Sequence, residues 1–148
     1  MAANNVLIND SEVFVLNDSF LLKLKRLAQK HPLKRARLCL HESLTNKVHE
    51  MIIVAHRDGI IDPHKHPKNK PESYHVIEGS LKVLLYNDYH EVIDEVTLYD
   101  YKHPKIYRIT GNVWHQPIPL TEWVVYHEVA TGPFNKDKDV IFLKKIDG

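Results

Sequence analysis

Between residues 17 and 32 the apolar positions carry a helical period. Phe20, Leu21, Leu24, Leu27 and Ala28 recur three and four apart, the stripe of an amphipathic helix. Asn17, Asp18 and Ser19 offer capping oxygens at its start, and Pro32 disfavours helical geometry at His31. From Leu33 the period drops to two. Ala36, Leu38 and Leu40 alternate with Arg35, Arg37, Cys39 and His41, as on a strand. Strand-like runs follow at 49–57, 72–77, 81–86, 92–98, 105–109 and 123–130. Glu78-Gly79-Ser80 reads as a tight hairpin, and the stretch 86–89 as a second reversal. One leading helix followed by at least six short strands predicts a mainly β fold, an antiparallel sandwich or small barrel. Alternate side chains converge inside such a barrel, so the parity of each polar residue along its strand matters.

Composition narrows the class. A chain of 148 residues suits one domain and buries roughly two thirds of its unfolded surface. Lys plus Arg number 20 against 19 Asp plus Glu, which lacks the basic footprint of a nucleic-acid binder and the charge excess of disorder. The single Cys39 excludes an intramolecular disulfide and a cysteine zinc cluster. No basic residue precedes an apolar run near Met1, and no apolar run is long enough to span a bilayer. The expectation is a cytoplasmic protein with no membrane partner. Histidine is the outlier: 11 in the chain, enough to warrant a search for a metal or acid–base site.

The strongest signal lies between Gly59 and Glu72. His64 and His66 are two apart, so on an extended chain both imidazoles project to one side. Glu72 opens a strand on which Glu72, Tyr74 and Val76 share a face, and His115 waits far downstream beside Trp114. Three imidazoles and one carboxylate suit one divalent transition metal, Fe, Mn, Ni, Co or Zn, and a six-coordinate ion would keep two positions open. His-x-His alone is a weak signal; followed by Glu and a hairpin Gly79 it is far more specific.

These residues resemble the cupin superfamily. The run from Gly59 to Gly79 looks like the first cupin motif, and the stretch around His115 like the second. The likeness extends to the WbuC-type cupin metalloproteins, on a helix ending in Pro, Arg37-x-x-x-His41, the PHKHP run, the Trp114-His115 pair and Glu128-x-x-x-Gly-Pro-Phe134. The spacing departs somewhat from the general cupin pattern, and Thr110, Asn112 and Pro119 stand where Pro, Gly and Asn are usual. The resemblance implies a single double-stranded β-helix, or jelly-roll, barrel over 33–148, with an N-terminal strand and helix over 1–32 packed on it. It implies His64, His66, Glu72 and His115 as metal ligands, and a place in surface-polysaccharide biosynthesis.

Other inward positions would meet a substrate. Arg37, Cys39 and His41 share one face, and Arg37 with His41 are the candidates for holding an anionic group. His41, Tyr74 and Glu128 are the candidates for moving a proton, although the alternation in 123–130 does not reveal which face is inside. Trp114 is expected in the core and His75 outside. Seven basic residues and no acid fall in 19–41, and five acids with no Lys or Arg in 84–101. Such halves suit steering of an anionic substrate, or apposition across a homodimer.

Three functions follow. The first is a metal-dependent isomerase or epimerase acting on a carbohydrate or nucleotide-sugar intermediate. The second is an Fe(II) cupin dioxygenase, and the third a non-catalytic module that binds a small molecule through its metal. Nucleotide-triphosphate, flavin and nicotinamide chemistry is disfavoured by the lack of a Gly-rich phosphate loop among only five glycines.

Overall fold

The computed structural model describes residues 4–144. In chain order the elements are β1 (Val6–Ile8), α1 (Asp18–Lys30), β2 (Arg35–Cys39), β3 (Val48–His56), β4 (His64–Lys65), β5 (Glu72–Glu78) and β6 (Ser80–Tyr86). Then come β7 (Val92–Tyr99), β8 (Ile106–Ile109), β9 (Trp114–Pro119), β10 (Trp123–Thr131), α2 (Lys136–Asp139) and β11 (Ile141–Phe142). A six-stranded sheet runs β1-β2-β3-β10-β5-β8, and a five-stranded sheet runs β11-β4-β9-β6-β7. Among the described residues only β1 and β2 pair in parallel. The fold is mainly β, as the alternation predicts, with the helix ahead of the barrel strands.

The apolar stripe of α1 fixes where the helix goes. The Asn17 side chain accepts from the Phe20 N–H at 3.0 Å, so the cap forms where the sequence offers it. Leu24 and Ala28 are fully buried against Ala36, Leu38, Ile52, Val54 and Val125, which line the outer face of the larger sheet. A second core lies between the sheets, built from Ala55, Tyr74, Val76, Leu81, Val83, Leu98, Tyr107, Val124 and Tyr126. The larger sheet is therefore buried on both faces at its centre. That explains why β3 and β10 read as nearly continuous apolar runs.

Gly79 turns the β5–β6 hairpin at a φ of +81°, and a Cβ there would strike the Thr121 side chain and the Trp123 carbonyl. Asp100 closes the same corner by accepting the Gly79 N–H at 2.8 Å. The β9 strand was hidden in the sequence by Pro117 and Pro119. Leu120 N–H bonds the Ser80 carbonyl of β6, so the two proline nitrogens point away from β6. On that side β4 pairs with β9 only at His115, and no ladder donor is lost.

Candidate metal centre

The three histidines reach one point by different routes. His64 pairs directly with His115 across β4 and β9, and His66 follows on the same side of the chain. Asn112, at a φ of +69°, turns the chain into β9 and donates its N–H to the His66 carbonyl at 2.6 Å. The ring centroids lie 4.4 Å apart for His64–His115, 5.2 Å for His64–His66 and 5.4 Å for His66–His115. Their ligand nitrogens fall within 4.8 Å of one another.

Each Nδ1 meets a backbone carbonyl: His64 that of Asp62 at 2.8 Å, His66 that of Asp139 at 2.7 Å, and His115 that of Val113 at 2.9 Å. A carbonyl only accepts, so each Nδ1 carries the hydrogen and each Nε2 keeps its lone pair. Two of those lone pairs face Glu72, whose Oε2 is 3.1 Å from His66 Nε2 and whose Oε1 is 2.6 Å from His115 Nε2. Neither buried Nε2 finds hydrogen-bonding geometry. Acceptors converging on acceptors require a proton or a cation among them. Three imidazole nitrogens with one carboxylate fit a divalent transition metal.

Electrostatics follow from this packing. Burial pushes the Glu72 carboxyl up, but the closeness of His115 and then of His66 outweighs it and holds it below the usual carboxylate range. Burial is the largest influence on His66 and pushes it down, but Glu72, the Asp139 carbonyl and Glu128 together outweigh it and raise it to about 9. His64 is lowered to about 4 by burial and then by His115, so it is neutral at pH 7.

The register arranges the other predicted residues in rows on the inner face of the larger sheet. One row runs Cys39–Met51–Glu128–Tyr74–Tyr107, and the next His49–Ala130–Glu72–Ile109. Glu128 therefore faces inward, like Val124 and Tyr126 in the core between the sheets, one residue pair away from Glu72. Burial, and then the charge of Glu72, raise the Glu128 carboxyl to about 8. Tyr74 is fully buried and donates its hydroxyl to Glu72 Oε1 at 2.9 Å, orienting that carboxylate.

Arg37 reaches along the same face until its Nη1 lies 3.9 Å from the sulfur of Met51, the register partner of Glu128. Arg35 shares that face, a position the sequence reading passed over although it is two residues from Arg37. Neither guanidinium pairs with a carboxylate among the described residues. His41 stands beyond β2, stacked on His49 at 4.0 Å, with its Nδ1 3.1 Å from the Glu50 carbonyl. Burial and then His49 push its pKa down.

Trp114 departs from expectation. His115, Pro117 and Pro119 take the inner face of β9, so Trp114 is turned to the outer one. There its Nε1 donates to Asp88 at 2.8 Å and the Lys65 ammonium sits 4.3 Å over its ring. His75 is exposed, as its parity predicts. A cavity of about 410 Å³ lined by Asp62, Pro63, Tyr86, His90, Phe142 and Leu143 flanks β4 and contains none of the four candidate ligands.

Residues 16–98 match the sequence model of a family described as "Domain of unknown function (DUF6016)". No curated protein matches the chain significantly. Among solved structures, the chain is similar to the L-ribose isomerase of Cellulomonas parahominis at 14% identity and a TM-score of 0.58, covering 75% of this chain and 70% of that one. Protein SO0799 of Shewanella oneidensis aligns at 10% identity and a TM-score of 0.62, over 86% of this chain and 85% of that one. The capsular polysaccharide assembling protein CapF of Staphylococcus aureus aligns at 16% identity and a TM-score of 0.58, over 68% of this chain and 27% of that one. At such identities the likeness shows the fold alone, a mainly β barrel of the double-stranded β-helix type with a helix near its N-terminus.

Proposed function

The chain belongs to the DUF6016 family, whose description assigns no activity, and from the geometry of its centre we propose a metal-dependent isomerase or epimerase of the WbuC-type cupins. Its substrate is a carbohydrate or nucleotide-sugar intermediate of surface-polysaccharide biosynthesis, met in the cytoplasm. The observation that carries this reading is the pairing of two carboxyl groups. Glu72 faces the Nε2 atoms of His66 and His115, and Glu128, beside it, is raised to about 8 by burial and by the charge of Glu72.

His64, His66, His115 and Glu72 hold the metal, and the ion when bound supplies Lewis acidity toward a substrate oxygen. Glu128 is the group that moves the proton. A carboxyl with a pKa near neutrality both takes and returns a proton efficiently. It removes the hydrogen from the carbon beside the carbonyl; the electron pair passes to the carbonyl oxygen, and the proton returns to the neighbouring carbon or the opposite face. Tyr74 stays protonated, because burial and then Glu72 raise its pKa, and keeps Glu72 aligned. Arg37, without a carboxylate partner, holds the anionic end of the substrate, and His41 offers its Nε2 at the rim. The likeness to an L-ribose isomerase and to CapF supports this choice at the level of fold.

The test is solvent exchange. Metal-loaded protein incubated in D₂O with aldoses, ketoses and nucleotide sugars is expected to place deuterium beside the carbonyl of one of them. Glu128→Gln should slow that exchange by about 100-fold or more while retaining metal. Exchange unaffected by Glu128→Gln would remove Glu128 from the role. Retained metal with no exchange across the panel would favour the non-catalytic module, and turnover that requires O₂ the Fe(II) dioxygenase.

A further inference from the structure

Two of the three carbonyls that orient the histidines come with the motif itself. Asp62 and Val113 stand two residues before His64 and His115. The third does not. His66 donates to the carbonyl of Asp139, 73 residues away near the C-terminal end of the described chain.

That segment is fastened on both sides of the His-x-His run. β11 pairs with β4, placing Phe142 opposite His64 and Ile141 opposite Lys65, and Leu143 N–H bonds the Pro63 carbonyl at 3.0 Å. On the other side Lys70 donates its ammonium to the Pro133 carbonyl and lies 3.7 Å from the Asp139 carboxylate. Asp139 in turn accepts the Asn135 N–H at 2.6 Å, closing the short turn of α2. The Lys70 and Asp139 side chains are only 16% and 13% exposed, so removing one partner strands the other charge in a poorly solvated place.

We propose that residues 134–143 form a strap that is a working part of the metal centre. The Asp139 carbonyl fixes the His66 ring, and the Lys70–Asp139 pair latches the strap in place. Metal binding and strap docking are therefore coupled, and each strengthens the other by the same factor. Asp139 and Lys70 are positioning residues. This rests on the reading of His64, His66, His115 and Glu72 as ligands.

The experiment titrates the full chain with Zn²⁺ alone against a chromophoric chelator, beside Lys70→Met, Asp139→Asn and the control Lys136→Met, which alters an exposed strap residue. Loss of an outer partner of a metal-bound histidine costs about 10–100-fold in affinity, and that loss is expected in Lys70→Met and Asp139→Asn but not in the control. Trypsin supplies an independent readout, because Lys136 and Lys138 are exposed on α2. Zn²⁺ is expected to slow cleavage there in the wild type and to lose that protection in Lys70→Met. Circular dichroism identifies any variant that fails to fold, and Asp139→Asn stands in if Lys70→Met does. Affinities within twofold of wild type in folded Lys70→Met and Asp139→Asn, or cleavage indifferent to Zn²⁺, would overturn the strap. If the wild type binds Zn²⁺ and loses it with His64→Ala while the latch variants do not change, only the strap falls. A wild type that binds none takes the ligand reading down with it.

Discussion

At the residue scale the centre is defined by where protons must not be. Backbone carbonyls accept the Nδ1 hydrogen of His64, His66 and His115, which leaves three Nε2 atoms gathered together, two of them against the Glu72 carboxylate. Without a cation, His66 answers this by holding a proton against Glu72, which is why its pKa rises to about 9. A metal must displace that proton. Affinity should therefore weaken about tenfold for each pH unit below about 9, as the imidazole competes for hydrogen ions. His64, lowered to about 4, adds nothing to the slope until far lower pH. Competition titrations at about pH 6.5, 7.5 and 8.5 read the slope. A constant affinity across that range would mean that His66 is not a ligand.

At the element scale, strands with a buried centre and a clear period were legible, and elements defined by their neighbours were not. The helix stripe of Leu24 and Ala28 and the alternation in β2 predict the layers they occupy. The β9 strand escaped because prolines mask strand propensity, and what permits them is the shortness of β4. β4 and β11 are two residues each, too brief to carry any period. The four candidate ligands could be read because metal chemistry demands particular side chains at particular spacings. The Asp139 carbonyl could not, since any residue type supplies a backbone oxygen. The inward parity of Glu128 needed its register with Tyr74. Because α1 covers the face of the larger sheet opposite the centre, its packing and the metal site are separable. Leu24→Ala should destabilise the protein by about 2–5 kcal/mol in a urea titration and leave metal content unchanged. Loss of metal from the folded variant would show that the two faces are coupled.

On the scale of the whole molecule, the charge halves seen in the sequence fall on different elements of the sandwich. The basic segment forms α1 and β2. The acidic one forms β7, which turns back to the β5–β6 corner through the Asp100 N–H bond to the Gly79 carbonyl. Lys25 of α1 pairs with Glu78 beside that same corner, while Arg35 and Arg37 stand on the face of β2 that register aligns with the inner face of the larger sheet. This arrangement suits a site that draws in an anionic ligand and meets it with a metal. The metal is the claim on which everything else depends. Elemental analysis of protein purified without added metal tests it directly, with wild type beside His64→Ala and Glu72→Ala. The expected result is about one equivalent of a transition metal in the wild type and little in either variant. Equal metal in all three proteins, or none in the wild type even after reconstitution, would contradict the centre built from His64, His66, Glu72 and His115.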